Sequence, residues 1–407
     1  MKKGKIKIGI AREGKVPPDN RVPLTPWEVI EAQNIFPNFE IVCQSSNIRC
    51  FEDESYSKLN IPIVEKLEDC DVILGIKEFP IQELIPGKTY LFFSHTIKKQ
   101  AYNRKLLRSI LDNKIKLIEY ECLTDTYGKR VIAFGRFAGI VGAYNALLCY
   151  GKKYNLYDVK RARDCSTYIE LKSEYKKMQL PPIKIVLTGH GSVGHGAREV
   201  LESIGVKEVT VHDYLFHELK DPVFTQLHSR DYYKRFDDSD FDREEFHRAP
   251  HFYKSDFIRF ARNTDILING TFWNKGADRF FSIADMLRND FRIRVIADIS
   301  CDLNGPIPST IRTSTIDEPF YDFDPFESNE VPPFTDERNI TVMAVDNLPN
   351  ELPREASNSF GRVLIEKVFP NMVYGDEDEM IARATITENG KLTPRYRYLQ
   401  EFVYGRT

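Results

Sequence analysis

The sequence contains no cysteine pair with the spacing of a metal or redox motif. Its seven cysteines are scattered through 407 residues, and none of them forms a C-x-x-C pair. An odd, dispersed set of cysteines in a chain of this size is typical of reduced thiols in a cytoplasm. We therefore predict a cytoplasmic protein without a disulfide framework and without a zinc or other metal site.

Long apolar runs are missing as well. A membrane-spanning helix needs about 18 to 20 largely uncharged residues, and the closest stretch, residues 137–151, is shorter and contains Asn145. The basic opening, residues 1–5, is followed by an apolar run from Ile6 to Ile10 that Lys7 interrupts. This pattern predicts a first strand and not a signal peptide.

A large charge of either sign is also absent. The net charge is −3, because 57 Lys and Arg residues are offset by 60 Asp and Glu residues. We therefore predict neither nucleic acid nor a membrane as a partner. The sequence is otherwise that of a globular protein, with 42% hydrophobic residues, and its length predicts two domains.

Three apolar runs in the first third of the chain each precede an ionisable side chain. The runs are residues 72–76 before Lys77, 90–94 before His95, and 115–118 before Glu119 and Glu121. Runs of this kind predict buried parallel strands. Because ligands of open α/β sheets lie beyond the carboxyl ends of the strands, we expect an amine, an imidazole and a carboxylate at one edge of one sheet.

The order of predicted elements indicates two α/β domains. Further strands are predicted at 6–10, 40–42, 184–187, 209–212, 266–268, 295–297 and 340–345, and helices at 26 onward, 137–150, 152–179, 192–203 and 355–368. We predict a discontinuous domain of residues 1–137 and 349–407, and a second domain of residues 138–348. The second contains a charged insert at 214–263, predicted to be a solvated loop or short helices, with a lid or subunit contact as the alternative.

A glycine fingerprint for a dinucleotide occurs at the start of the second domain. Gly189, Gly191 and Gly194 match G-x-G-x-x-G between a predicted strand and the helix that begins at Ser192. Asp213 follows 19 residues later, at the end of the predicted strand 209–212. An acidic residue there would bind the ribose hydroxyls and repel a 2′-phosphate, so NAD is favoured over NADP.

Several residues of the first domain have the chemistry of a substrate site. Lys77 and His95 suit proton transfer, since an imidazole titrates near neutrality and burial can neutralise an amine. Arg21 could hold a substrate carboxylate in bidentate fashion, and Arg130, near Phe134, could reach either ligand. His190 and His195 are five residues apart, which does not place them on one helix face, so they are interpreted as ordinary loop and helix residues.

Six segments resemble the saccharopine dehydrogenase (lysine-forming) family, including the lysine-ketoglutarate reductase half of a bifunctional synthase. They are RVPLTP (21–26), ILGIKEFP (73–80), FFSHTIKKQ (92–100), GKRVIAFGRFAG (128–139), ADISCD (297–302) and VDNLPNELPREAS (345–357). This family lies within the alanine dehydrogenase and transhydrogenase fold group.

The resemblance implies two Rossmann-like domains with mostly parallel sheets and an active site in the cleft between them. It implies reversible, NAD-dependent oxidation of saccharopine to lysine and 2-oxoglutarate, with Lys77 and His95 as the acid–base pair. The residues that match the substrate pocket are Arg21, Glu78, Gln100, Glu121 and Phe134. Those that match the cofactor side are Arg130, Gly191, Ser192, Asp213, Phe272, Ile299, Val345, Asp346, Asn347 and Leu348.

Other functions stay open at this point. The chain could be an alanine dehydrogenase or another opine-type amino acid dehydrogenase, acting on a small amino acid or 2-oxo acid. It could instead be the NAD-binding subunit of a transhydrogenase-like complex, or a catalytically silent NAD-binding scaffold. Whether the chain forms a homo-oligomer is also left open.

Overall fold

The computed structural model describes residues 4–405, which form two units. The first unit comprises the described residues through Phe134 together with those from Pro353 onward, and the second comprises Gly135–Leu352. Residues 1–3 and 406–407, which the predicted first domain includes, lie outside the described part. Within residues 4–405, no helix is both long enough and apolar enough to cross a membrane.

Strands and helices alternate along most of the chain. The strands are β1 (Ile6–Ile10), β2 (Phe39–Gln44), β3 (Ile63–Val64), β4 (Val72–Leu74), β5 (Thr89–Phe92), β6 (Lys116–Glu119), β7 (Lys184–Thr188), β8 (Lys207–Glu208), β9 (Val223–Leu227), β10 (Tyr233–Arg235), β11 (Tyr253–Ser255), β12 (Ile266–Asn269), β13 (Val295–Asp298), β14 (Phe320–Asp324), β15 (Asn329–Val331), β16 (Ile340–Met343), β17 (Thr385–Glu388) and β18 (Lys391–Leu392).

The helices are mostly short. They are α1 (Pro26–Ile35), α2 (Asp53–Ser57), α3 (Asn103–Asp112), α4 (Gly135–Lys153), α5 (Tyr168–Glu174), α6 (Ser192–Ile204), α7 (Val211–Phe216), α8 (Ser229–Tyr232), α9 (Arg243–Arg248), α10 (Ile258–Ala261), α11 (Ile283–Met286), α12 (Pro353–Val363), α13 (Phe369–Val373), α14 (Met380–Ala384) and α15 (Gln400–Tyr404).

The first unit is built on an eight-stranded sheet in the order β18-β17-β6-β5-β4-β1-β2-β3. Strands β1 to β6 pair in parallel, whereas β17 pairs with β6 in antiparallel orientation. Every residue of β4 is buried, as expected for a parallel strand covered on both faces. The parallel strands predicted from the apolar runs are therefore confirmed.

The start of α1 follows its sequence signature. Pro26 occupies the first helical position, Glu28 N–H donates to Thr25 Oγ1 at 3.4 Å, and Thr25 N–H donates to Glu28 Oε2 at 2.8 Å. This reciprocal capping box satisfies two backbone donors that the helix leaves without partners.

The second unit is built on another eight-stranded sheet, in the order β15-β14-β16-β13-β12-β7-β9-β8. The strands from β16 to β8 in that order pair in parallel, and β14 and β15 add an antiparallel edge. Helix α4 lies against α6 so closely that a Cβ atom at Gly139 would approach the carbonyl oxygen of Val193 to 1.9 Å. The two mostly parallel sheets confirm the predicted α/β fold class.

The predicted strand 209–212 is wrong. Thr210 Oγ1 accepts a hydrogen bond from Asp213 N–H at 3.1 Å and caps α7, which begins at Val211. Local capping therefore prevails over the strand propensity of the Val-Thr-Val run. The strand next to β7 is β9, which lies inside the insert predicted to be loop or short helices. The insert is thus part of the sheet, although its acidic run 237–240 does lie in a turn and loop.

Two other helix predictions are correct only in part. Within the predicted helical segment 152–179, regular α-helix is confined to the last two residues of α4 and to α5, with short 3-10 turns before and after α5. The predicted helix 355–368 is α12 followed by a π-helical turn, Leu364–Val368.

Candidate active site

Lys77 follows β4 by three residues and is half-buried. Its backbone N–H donates to Glu13 Oε2 at 2.9 Å, and the N–H of Ile76 donates to Glu13 Oε1 at 2.6 Å. Burial, followed by the nearby Arg21 guanidinium, lowers the pKa of Lys77 to about 8, since both disfavour the ammonium form. A lysine with this pKa can exchange protons near neutral pH.

Glu13 is a buried carboxyl group that sequence reasoning missed. Burial, with a further contribution from the Asp19 charge, raises the pKa of Glu13 to about 8. Its two oxygens hold the backbone where β4 ends, directly before the Lys77 side chain. A signal was available, because Glu13 follows β1, and β1 is the neighbour of β4 in the sheet.

His95 follows β5 by three residues and contacts the residue after Lys77. His95 Nδ1 lies 2.6 Å from Glu78 Oε1, and Lys15 Nζ lies 3.4 Å from Glu78 Oε2. Burial alone would raise the pKa of Glu78, but the hydrogen bond and charge of His95 prevail and hold it at about 2. The carboxylate therefore stays ionised, and it orients the imidazole ring.

Glu119, at the end of β6, fixes the backbone around His95. Glu119 Oε2 accepts hydrogen bonds from Ser94 N–H at 2.8 Å, Ser94 Oγ at 2.5 Å and His95 N–H at 3.1 Å. Glu119 Oε1 accepts a further bond from Glu121 N–H at 3.0 Å. These bonds hold His95 in a left-handed backbone conformation, with φ of 53°, which non-glycine residues adopt infrequently.

Glu121 lies between two cations. Glu121 Oε2 is 3.3 Å from Lys98 Nζ, and Glu121 Oε1 is 3.4 Å from Arg130 Nη2. The Arg130 guanidinium also lies over the Phe93 ring, 5.6 Å from its centroid. Arg130, expected from the resemblance on the cofactor side, is therefore paired within the first unit.

Arg21 is buried in a bidentate pair with Asp19. Arg21 Nε lies 2.9 Å from Asp19 Oδ1, and Arg21 Nη2 lies 2.5 Å from Asp19 Oδ2. The guanidinium also lies over the Phe134 ring, 4.1 Å from its centroid, and that ring stacks on Phe360. The bidentate pairing that the sequence suggested for a substrate carboxylate is thus made to Asp19 in this structure.

Within residues 4–405, the buried oxygens Glu78 Oε2 and Glu121 Oε2 accept no hydrogen bond. Each lies at ion-pair distance from a lysine nitrogen, Glu78 Oε2 from Lys15 Nζ and Glu121 Oε2 from Lys98 Nζ. Gln100 differs from these residues, because it is exposed and its Oε1 accepts a bond from Tyr102 Oη at 2.5 Å. The structure therefore brings His95 into contact with Glu78, the residue after Lys77, and leaves Gln100 at the surface.

The glycine fingerprint of the second unit has the geometry of a dinucleotide turn. Gly189 has φ of 93°, and a Cβ atom at Gly194 would lie 2.0 Å from the Gly189 carbonyl oxygen. A Cβ atom at Gly191 would meet no protein atom within 4 Å. The first and third glycines are thus required by the protein's own packing, whereas the open space at Gly191 suits the close approach of a pyrophosphate. The residues fit a dinucleotide cofactor.

Asp213 does not lie at a strand end. Its Oδ2 accepts a bond from Thr210 Oγ1 at 2.8 Å, and its Oδ1 lies 3.0 Å from His217 Nδ1, in the first turn of α7. Asp213, His217 and His212 each have an atom of the type that binds metal ions, and these three atoms lie within 4.8 Å of one another at the surface. The expectation that Asp213 ends the strand beside the fingerprint strand, which favoured NAD, is therefore wrong.

The residue that follows β9 is His228. Its ring stacks on that of His190, in the glycine turn, with the centroids 3.5 Å apart and the planes 5° from parallel. Sequence reasoning missed this pair because His228 lies in the insert, which was not assigned to the sheet.

The other residues matched to the cofactor side follow neighbouring parallel strands. Phe272 follows β12 and is exposed, and Ile299 directly follows β13. A Cβ atom at Gly142 in α4 would lie 2.4 Å from Ile299 Cδ1, so this side chain also packs against the helix. The segment of Val345, Asp346, Asn347 and Leu348 follows β16. Ser192 is the first residue of α6.

Comparisons with known proteins agree with this architecture. Residues 9–141 match the family described as alanine dehydrogenase/PNT, N-terminal domain. An L-alanine dehydrogenase structure superposes with a TM-score of 0.64 at 15% identity, covering 98% of this chain and 100% of that chain. At this identity the likeness shows the fold alone.

Two curated relatives are more similar in sequence. The mitochondrial α-aminoadipic semialdehyde synthase of Bos taurus is 29% identical over 99% of this chain and 48% of its own length. The saccharopine dehydrogenase [NAD(+), L-lysine-forming] of Emericella nidulans is 26% identical over 89% of this chain and 91% of its own. The chain spans about half the length of the first of these relatives.

The family match and the superposed structure place the chain in the alanine dehydrogenase-like fold group, as predicted. Within that group, the chain is a relative of the saccharopine dehydrogenase (lysine-forming) family, which confirms the resemblance of its motifs.

Proposed function

We propose that this chain is a saccharopine dehydrogenase of the L-lysine-forming type. The reaction converts saccharopine, water and NAD to L-lysine, 2-oxoglutarate, NADH and a proton, and it is reversible. The observation that carries the proposal is that Lys77, whose pKa is lowered, directly precedes Glu78, and that Glu78 Oε1 lies 2.6 Å from His95 Nδ1.

The proposed roles follow from the protons that this reaction must move. A bound nicotinamide dinucleotide supplies the hydride acceptor. Lys77, when neutral, accepts the proton that the secondary amine of the substrate loses on oxidation. His95, oriented by Glu78, takes a proton from the water that adds to the C=N bond and returns one to the departing lysine nitrogen.

The charges around this cluster favour a substrate larger than alanine. Glu78 and Glu121 each have a buried oxygen that accepts no hydrogen bond within residues 4–405, which suits the ammonium groups of a lysine-containing substrate. Lys98 and Arg130, paired with Glu121, suit substrate carboxylates. Alanine has one carboxylate and one amine, and therefore offers fewer charges than saccharopine to exchange with these ion pairs.

NAD is the cofactor we propose for this reaction. The support for NAD is the fungal relative, whose name specifies NAD(+). Asp213 does not support it, because it lies in a helix and not at the end of a strand. A small amino acid or 2-oxo acid as the substrate follows from the same proposal. A cytoplasmic location stays a prediction, and the oligomeric state stays open.

The proposal is tested by following NADH absorbance with two substrate pairs. We expect NADH consumption with lysine plus 2-oxoglutarate, and a product with the mass of saccharopine. Consumption with pyruvate plus ammonia alone would instead indicate an alanine dehydrogenase. NADH binding without turnover of either pair would contradict the proposal and favour a cofactor-binding subunit.

A further inference from the structure

Helix α7 and the residue after it carry three side chains of the kinds that bind transition-metal ions, and the proposed reaction uses none of them. They are His212, Asp213 and His217, and one possible ligand atom of each lies within 4.8 Å of the other two. Asp213 Oδ1 is 3.0 Å from His217 Nδ1 and 3.9 Å from His212 Nδ1. Ligand atoms about 2.0 to 2.2 Å from a tetrahedral Zn²⁺ are about 3.3 to 3.6 Å apart. The two distances bracket this spacing.

The protein anchors the backbone of α7, while the two imidazoles face solvent. Tyr214 is buried, and its Oη is hydrogen-bonded to Thr264 Oγ1 at 2.8 Å. Lys184 Nζ donates to the carbonyl oxygens of Tyr214 at 2.6 Å and of His217 at 2.9 Å, which holds the end of the helix. The side chains of His212 and His217 are exposed. An ion from solvent therefore meets its ligands on a backbone that is already ordered, which lowers the entropic cost of binding.

The Asp213 carboxylate is oriented by a neighbouring hydroxyl group. Thr210 Oγ1 donates to Asp213 Oδ2 at 2.8 Å, whereas Asp213 Oδ1 accepts from His217 Nδ1. The Thr210 hydroxyl, with a smaller contribution from His217, holds the pKa of Asp213 below its usual range. Hydrogen bonds of this kind fix the orientation of a metal ligand. When an ion binds, the bond between His217 and Asp213 is exchanged for a bond from each atom to the ion, and the imidazole proton is carried on Nε2.

The cluster lies toward the opposite end of β7 from the glycine turn. Lys184, which binds the end of α7, is the first residue of β7, and the turn begins directly after its last residue, Thr188. At a rise of about 3.3 Å per residue, the two ends of this strand are about 13 Å apart. The cluster is therefore separate from the turn proposed to bind the cofactor.

We propose that His212, Asp213 and His217 form a binding site for a divalent transition-metal ion, Zn²⁺, with a water molecule as the fourth ligand. Imidazole and carboxylate are ligands of Zn²⁺, and three protein ligands with one open position are a common zinc arrangement. Mg²⁺ and Ca²⁺ prefer oxygen ligands alone, and Fe²⁺ binds less tightly than Zn²⁺. The sequence prediction of no metal site was based on cysteine spacing, and this site uses none of the cysteines.

The experiment measures Zn²⁺ binding to the full chain, with its cysteines reduced, by competition with a chromophoric chelator. We expect one equivalent of Zn²⁺ in wild type, and excess Mg²⁺ should not displace it. His212→Asn and His217→Asn should each weaken this binding by more than about tenfold, since the loss of a residue that only orients a ligand already costs about 10- to 100-fold. His251→Asn, an exposed histidine elsewhere in the second unit, is the matched control and should bind as wild type does.

His212→Asn is the decisive variant. The hydrogen bonds that join Asp213 to Thr210 and to His217 do not involve His212, so a cluster that only caps α7 would be insensitive to this change. The melting temperature of the metal-free protein should therefore be equal in wild type and His212→Asn. Added Zn²⁺ should raise it in wild type and in His251→Asn, but less in His212→Asn.

The outcomes separate a site at α7 from binding elsewhere. Weakened Zn²⁺ binding in His212→Asn and His217→Asn, with His251→Asn unchanged, supports the site. Equal binding in wild type and His212→Asn would overturn it, because the ion would then be bound by other groups, such as a cysteine thiolate. Failure of wild type to bind Zn²⁺ would overturn it as well. Neither result bears on the proposed dehydrogenase function, which NADH turnover tests independently.

Discussion

The edge of the first sheet presents ionisable side chains, whereas the glycine turn of the second unit presents mainly backbone groups. The first is crowded with ionisable side chains, and the pKa values of Lys77, Glu13 and Glu78 are all displaced there. The second consists mainly of backbone, and its central residue, Gly191, faces open space. Proton transfer requires side chains whose charge is adjusted by their surroundings, whereas a pyrophosphate requires only close access to N–H groups.

This difference also determines how each site should respond to substitution. In the proposed acid–base cluster of Lys77, Glu78 and His95, proton transfer depends on individual charges, so single side-chain changes should alter rates and pH profiles. In the glycine turn, the proposed cofactor binding depends on the absence of side chains, so we expect the addition of one methyl group to weaken it.

The largest effect is expected at Lys77. Lys77→Met should lower turnover by about 10²- to 10⁴-fold, the usual contribution of a general base, while NADH fluorescence still reports binding. Lys105→Met, at an exposed site on α3, is the matched control and should keep the wild-type rate. A rate in Lys77→Met close to that of the control would remove Lys77 from the mechanism.

The second largest effect is expected at Glu119, whose buried carboxylate accepts hydrogen bonds from the backbone around His95. Glu119→Ala leaves the backbone N–H groups of Ser94, His95 and Glu121 without their acceptor. We expect the free energy of unfolding to fall by about 3 kcal/mol, measured by urea denaturation. Glu31→Ala, on the exposed face of α1, should change it by less than about 0.5 kcal/mol. Equal stability of the two variants would show that the Glu119 network does not stabilise the fold.

The two glycines of the turn should respond differently. Gly191→Ala adds a methyl group in open space, so we expect an unchanged melting temperature and NADH binding weakened by about tenfold. Gly194→Ala places a Cβ atom 2.0 Å from a backbone oxygen and should lower the melting temperature as well. Thermal unfolding and NADH titration of both variants measure the difference. Unchanged NADH affinity in Gly191→Ala would argue against pyrophosphate binding at this turn.

The smallest effect is a displaced pH profile. Because Lys77 must be neutral to accept a proton, kcat/KM for saccharopine oxidation should rise with pH and level off above about pH 8. The negative charge of Glu78 raises the pKa of Lys77, so Glu78→Gln should move the rising limb to lower pH. Glu83→Gln, an exposed control, should leave it in place. A limb that moves to higher pH in Glu78→Gln would contradict this assignment.

The sequence predicted β1, β2, β4, β5 and β6 of the first unit because each contains a short apolar run, whereas the short strands β3, β17 and β18 were not predicted. Its Lys77 and His95 were found because they end such runs. Glu13 was missed, although it also follows a strand, because it lies in a loop with several other charged residues and its burial is not evident from the sequence. In the second unit, the run around Thr210 has strand propensity, and only the hydrogen bond from Asp213 N–H reveals that a helix begins there.

Strand order also explains why Asp213 was wrongly predicted to end a strand. Sequence distance indicated Asp213, 19 residues past Gly194, but the strand that pairs with β7 is β9, which comes later, after α7. Strand order is a property of the whole sheet, and the short apolar run of β9 lies within a charged segment that masks it.

The pairing of β17 with β6 has a consequence for biosynthesis. Thr385 and Thr387 align with Ile118 and Leu117, so the strand that ends in Glu119 acquires its outer neighbour from a segment translated more than 260 residues later. The whole of Gly135–Leu352 leaves the ribosome in the interval. A nascent chain can therefore complete the sheet of its second unit before the sheet that carries Lys77 and His95 has its outer strands.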